Sequence, residues 1–187
     1  MYENLLLIIE KFKPSKVINF SSIAVYPNKD GEYSENSEIN PSVNSEGLYG
    51  LSKFCGENIL DFFNKSNSVC VTNLRISQVY GNEMRDDRIF KIMQKELEET
   101  NTITVFGKGE RISNFIQIDI LVEKIIYFIE NTLCGTFNIG DENLSYYDIA
   151  KKIVDKHGNL KSTIKLVERG VSSKTFINCD KMQESLT

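Results

Sequence analysis

The sequence predicts an α/β fold with a largely parallel sheet, and two observations carry that prediction. Short apolar runs suited to buried strands, at residues 16–21, 69–76 and 136–139, alternate with longer stretches of helical periodicity. The chain has 187 residues, 41% of them hydrophobic and 26% charged, which is enough to bury a core of ordinary globular composition.

The elements follow in order. Residues 2–12 are almost continuously apolar and read as a helix. After Lys13-Pro14 comes the first strand, Lys-Val-Ile-Asn-Phe-Ser, ending in the paired serines Ser21 and Ser22. Residues 27–46 are rich in Ser, Asn, Glu and Pro and read as a long surface loop, of a length that is usually functional or mobile. A helix is expected at 47–65, a strand at 69–76, a looser region at 77–86 and a helix at 87–99. A strand at 102–106 leads to a Gly107-Lys-Gly109 turn, then a strand at 114–118 and an amphipathic helix at 119–130. The strand at 136–139 stops at Gly140. A helix follows over 145–157, with Ser145 as its N-cap, Asp148 three residues on and Gly158 as its stop. A strand at 163–167 and the start of a helix at 179–186 complete the chain.

Composition excludes several functions. A net charge of −4, with basic residues scattered, gives no basis for binding nucleic acid or an anionic membrane. The apolar run from Leu5 to Ile9 is too short to span a bilayer. The four cysteines (Cys55, Cys70, Cys134 and Cys179) form no C-x-x-C pair and read as buried small hydrophobes in a reduced cytoplasm. A cytoplasmic location is expected. His157 is the single histidine and reads as a helix-end residue, so zinc sites and histidine triads are not expected.

In open parallel sheets, ligands bind beyond the carboxyl ends of the strands. Ser21-Ser22 and Ser77-Gln78 end successive strands and therefore belong to one rim. Tyr49 and Lys53 are four apart on the intervening helix, hence on one face. A phenol is a poor base near neutral pH, but a neighbouring ammonium favours its phenolate and a serine hydroxyl can relay the proton. Among eight tyrosines a chance Tyr-x-x-x-Lys is expected, and Tyr147 with Lys151 is a second match. Only Tyr49 follows a serine-ended strand and a long loop. Tyr147 reads as packing and Lys151 as a solvated face.

These residues resemble a known family. Ser21-Ser22-Ile-Ala-Val-Tyr26, Pro41, Tyr49-Gly-Leu-Ser-Lys53 and Leu74-Arg-Ile-Ser-Gln-Val-Tyr-Gly81 are similar to the extended short-chain dehydrogenase/reductases, in the NAD-dependent epimerase/dehydratase branch acting on nucleotide sugars. The segments from Val105 to Asp119 and Thr136 to Gly140 match the same family in order. The resemblance implies a Rossmann-like, doubly wound parallel sheet. Residues 1–81 would carry the site and residues 82–187 would be mainly substrate-binding, with 114–140 returning to the Rossmann-like core. It also implies roles. Ser22, Tyr49 and Lys53 would be catalytic; Ser21, Tyr49, Lys53 and Ser77 would bind NAD or NADP; Ser22, Gln78, Arg111 and Arg169 would bind the nucleotide sugar, the arginines through its diphosphate. A homodimer through the helices at 2–12 and 47–65 is the oligomer expected.

The sequence departs from the family in three places. Dehydratases carry an Asp-Glu pair after the Ser/Thr, where this chain has Ile23-Ala24, leaving epimerisation or reduction. Family members often carry Arg-Asp-Phe where this chain has Ser113-Asn-Phe115. The N-terminal glycine-rich turn that lets a pyrophosphate approach a helix is absent. The expectation is therefore a sheet lacking its first strands, in a truncated chain that binds NAD poorly in isolation, or a remnant keeping only a sugar-nucleotide cleft.

Overall fold

The computed structural model describes residues 2–67 and 69–185. Its centre is a parallel sheet of β1 (Lys16–Ser22), β3 (Cys70–Ile76) and β7 (Gly135–Ile139), in the order β1-β3-β7. All seven residues of β1 pair with β3, and five residues of β3 pair with β7. Among the described residues β1 pairs on one side only.

The strand pleat sends alternate side chains to opposite faces, and each face finds a helical cover. On one face Val17, Val69 and Val71 pack with Ile9 of α1 (Tyr2–Phe12) and with Leu60 and Phe63 of α2 (Gly47–Asn67). On the other face Leu74, Phe137 and Ile139 meet Leu121 and Phe128 of α4 (Ile118–Glu130) and Met182 of α6 (Asp180–Glu184). Lys16 fastens the second layer. Its ammonium donates to the carbonyls of Phe128, Ile129 and Asn131 at 2.7–2.9 Å, where the α4 dipole favours a cation.

A second core lies beside this one. There β5 (Thr102–Phe106) and β9 (Thr163–Val167) pair in parallel and pack against α3 (Ile89–Thr100) and α5 (Tyr146–His157) around Leu97, Ile103, Val105 and Ile149. Helix α5 begins with the expected cap: Ser145 accepts from the Asp148 amide, and Asp148 returns a bond to the Ser145 amide. The small sheet β4 (Gln78–Tyr80), β6 (Ile112–Gln117) and β8 (Glu142–Ser145) joins the two cores, with β6 between a parallel and an antiparallel neighbour.

Several expectations change. The 27–46 loop contains β2 (Gly31–Tyr33), which pairs in parallel with β10 (Thr175–Ile177) some 144 residues later. β2 (Gly-Glu-Tyr) shows no local apolar pattern, and β10 (Thr-Phe-Ile) is only three residues long. The reading of four reduced, buried cysteines is corrected, because Cys70 and Cys134 form a disulfide between β3 and the segment entering β7. Cys55 is exposed, so only Cys179 is a buried free thiol. His157 ends α5 in solvent. Leu186 of the expected last helix lies outside the described residues. No helix among the described residues is long and apolar enough to cross a membrane, and no group of three or more His, Cys, Asp or Glu among them could hold a metal.

Candidate functional site

The carboxyl ends of β1 and β3 open into a cleft of about 1050 Å³ between the two cores. Ser21, Ser22, Tyr49, Lys53, Ser77, Gln78 and Arg111 all line it. Local geometry explains how they arrive there. The chain leaves β1 through a single 3₁₀ turn over Ile23–Val25, capped by the Ser22 hydroxyl, which accepts from the Ala24 amide at 3.1 Å. That bond uses a lone pair and leaves the Ser22 proton free for a ligand.

Helix α2 then approaches this turn closely. A side chain at Gly50 would place its Cβ 2.0 Å from the Ala24 carbonyl oxygen. Glycine at that position therefore brings the first turn of α2, with Tyr49, against the end of β1. Tyr49 is 48% exposed at the cleft wall. Lys53 follows one turn later, with Nζ 5.4 Å from the Tyr49 ring centroid, and donates to the Phe20 carbonyl at 2.7 Å.

The hydroxyls of the paired serines diverge. Ser21 donates to Glu57 of α2, so its hydroxyl is committed inside the protein. Ser77, whose amide donates to the Ile139 carbonyl at 2.9 Å, holds a buried hydroxyl oxygen with no partner. Gln78 donates to Ser113 at 2.8 Å, so the position where family members often carry an Arg serves here to hold a cleft-lining amide.

Arg111 stands just before β6 with its guanidinium 4.9 Å above the Tyr146 ring. Its Nε is buried without an acceptor, and among the described residues no carboxylate pairs with it. Burial raises the Tyr146 pKa, against an opposing pull from the Arg111 charge, so the ring is a neutral platform for the cation. Arg169 is elsewhere. It is exposed, rests over Phe106 at 5.7 Å and does not line the cleft. Tyr147 and Lys151, the second Tyr-x-x-x-Lys pair, do not line it either.

Sequence reading did not single out Asn28, Asn44, Arg85 and Arg88, which line the same cleft. Arg88 immediately precedes α3, so a basic residue at an amphipathic helix start was the available signal. The asparagines sit in the 27–46 loop, and nothing local distinguishes them from turn-forming residues.

A family model described as the NAD dependent epimerase/dehydratase family matches residues 1–140. The chain is 28% identical over 171 residues to an uncharacterized UDP-glucose epimerase, YtcB, of Bacillus subtilis, covering 89% of this chain and 52% of that protein. It is 28% identical over 162 residues to a dTDP-D-glucose 4,6-dehydratase of Dictyostelium discoideum, covering 81% and 37%. Among solved structures, a UDP-glucuronic acid 4-epimerase of Bacillus cereus in complex with NAD superimposes with a TM-score of 0.81 at 27% identity, over 96% of this chain and 57% of that one. The chain thus spans between 37% and 57% of the length of these proteins, and its parallel sheet with helices on both faces is part of a Rossmann-like fold. The serine-ended strand, the Tyr-x-x-x-Lys helix and the matched residues 1–140 lead to one conclusion: the chain belongs to the NAD dependent epimerase/dehydratase family.

Proposed function

We propose that the cleft takes a nucleotide sugar and that Tyr49, with Ser22 and Lys53, moves a proton at a sugar hydroxyl in an epimerisation. The observation that carries this reading is Arg111. An arginine with a buried, unpartnered Nε, facing the same cleft as Ser22, Tyr49 and Lys53, is a cation awaiting an anion, and a diphosphate matches its fork of donors.

The residues present fit the reactive end of a nicotinamide cofactor. Ser77 offers a buried hydroxyl without a partner at the carboxyl end of β3, and Lys53 stands beside the end of β1. Tyr49, Lys53 and Ser77 would hold the nicotinamide and its ribose, while Ser21, whose hydroxyl bonds Glu57, would present only its backbone. When bound, NAD or NADP takes a hydride from a sugar carbon and returns it.

The protein's own part is proton transfer. Tyr49 accepts the hydroxyl proton at its phenolic oxygen, and the Ser22 hydroxyl hydrogen-bonds the same sugar oxygen and holds it in place. Lys53 holds its ammonium 5.4 Å from the Tyr49 ring centroid, a cation beside the group that takes the proton. Ile23 and Ala24 line the cleft where dehydratases carry acid/base carboxyls, which favours epimerisation over elimination. Reduction of a keto sugar is the second reading, since it needs the same three residues.

Calorimetric titration with UDP-glucose and UDP-glucuronic acid tests the reading. One of the two is expected to bind saturably, and Arg111→Leu to weaken it about 10- to 100-fold, the worth of one or two charge-assisted bonds. Absence of saturable binding of both to the unaltered chain overturns it.

A further inference from the structure

A row of polar side chains crosses the sheet on the face covered by α2. Ser21, Arg75 and Asn138 occupy matched positions on β1, β3 and β7, and all three are buried. Burying an arginine costs several kcal/mol unless its donors are used. Here they are used. Nε and Nη2 donate to the two Glu57 oxygens at 3.1 and 2.8 Å, and Nη1 donates to the Tyr26 hydroxyl at 2.8 Å and to the Glu35 carbonyl at 3.3 Å. Burial alone would lower the Arg75 pKa, but Glu57 and Tyr26 raise it, so the guanidinium stays charged.

The partners extend the row. Tyr26, fully buried, has the Ser34 carbonyl and Asn138 Oδ1 as acceptors at 2.9 and 2.8 Å. The Glu35 carboxylate accepts from the Asn138 amide at 2.7 Å. One guanidinium therefore touches three parts of the molecule: α2 through Glu57, the end of β1 through Glu57 and Ser21, and the 34–46 loop through Tyr26 and Glu35. Glu57 also lies on the α2 face of Tyr49 and Lys53, at successive steps of four. Ser21 adjoins Ser22, and Asn44 to Glu46 of the loop line the cleft.

We infer that the buried Glu57–Arg75 pair is the positioning element that fixes α2 and the 34–46 loop against the serine end of β1. Through it Tyr49, Lys53 and Ser22 keep their register along the cleft. The inference rests on the reading of the cleft as a nucleotide-sugar site. Directional bonds do here what an apolar pair cannot. Leucine and methionine would fill the same volume at little or no loss of stability, but would let the helix slide and the loop lift.

The test separates position from stability. The double variant Glu57→Leu/Arg75→Met removes both charges together and is expected to keep its Tm within a few degrees. Hydrogen exchange read by mass spectrometry is expected to quicken at least tenfold in residues 21–26, 34–37 and the first two turns of α2, with β5 and β9 unchanged. The Kd for UDP-glucose, or for UDP-glucuronic acid if that is the sugar that binds, is expected to rise at least fivefold. Tyr26→Phe cuts only the hydroxyl link, and is expected to quicken exchange in 34–37 while α2 stays protected; it decides the matter if the double variant does not fold. Unaltered exchange in 34–37 in a folded variant overturns the inference, as does a uniform increase that includes β5 and β9. Failure of the unaltered chain to bind either nucleotide sugar removes the substrate reading alone, because the exchange measurement needs no ligand.

Discussion

At the scale of single residues, the cysteines separate by environment, and the separation is measurable. Cys55 is exposed, Cys179 is buried, and Cys70 and Cys134 are joined. Native protein without reductant is expected to react with a thiol reagent at one site quickly, at a second only on unfolding, and at the remaining two only after reduction. Two fast-reacting thiols in the native protein would contradict the burial of Cys179. Burial pushes the Cys179 thiol up to about 11. An unfolded chain would lose that proton near pH ~8.5, so the folded state holds a proton the unfolded state has lost. The resulting stabilisation is intact below pH ~8.5 and drains away as pH rises towards 11. Thermal melts across that window are expected to show a shallower fall for Cys179→Ala than for the unaltered chain.

At the scale of elements, the approach of α2 to the end of β1 depends on Gly50. Its absent side chain leaves room for a backbone carbonyl, which cannot rotate aside as a flexible side chain can. Gly50→Ala is expected to cost about 3 kcal/mol, from the clash with the Ala24 oxygen, and to move Tyr49 away from Ser22. A chemical-denaturation midpoint equal to that of the unaltered chain would refute the close packing. This contact also shows what the sequence could and could not tell. Tyr49 and Lys53 share a face because helical spacing requires it, and strands 102–106 and 163–167 have the bounds their apolar runs predict. The capping box of α5 was equally legible, since Ser145 and Asp148 are local partners. By contrast β2 and β10 are three residues each and exist only through each other. Arg75 likewise reads in sequence as a charged residue in a strand, and only the register beside Ser21 and Asn138 reveals that it is buried and used. Arg111 and Arg169 were indistinguishable by residue type; tertiary placement alone puts one in the cleft and the other in solvent.

At the scale of the whole molecule, the sheet presents an edge that is usually covered. Among the described residues β1 pairs only with β3, and it runs seven residues without a proline or bulge. Beside it, α1 leaves Leu7, Ile8 and Phe12 exposed, and Phe20 of β1 is 47% exposed. A long open edge flanked by apolar side chains is a template for pairing with a further strand, and proteins normally blunt such edges with charge or proline. The open edges of β5 and β9 are shorter, at five residues each, and β9 carries Lys165, a charge of the kind that blunts an edge. Self-association in solution is therefore expected to run through the β1 side. Sedimentation velocity over a range of concentrations should show reversible growth of larger species, and Phe20→Lys combined with Phe12→Glu should shift the distribution back towards the 21.4 kDa monomer. The same pair of charges placed at exposed apolar positions away from β1, Leu160→Lys and Val171→Glu, should leave the distribution unaltered. If the β1-side variant associates as strongly as the unaltered chain, the open edge is not what brings copies together.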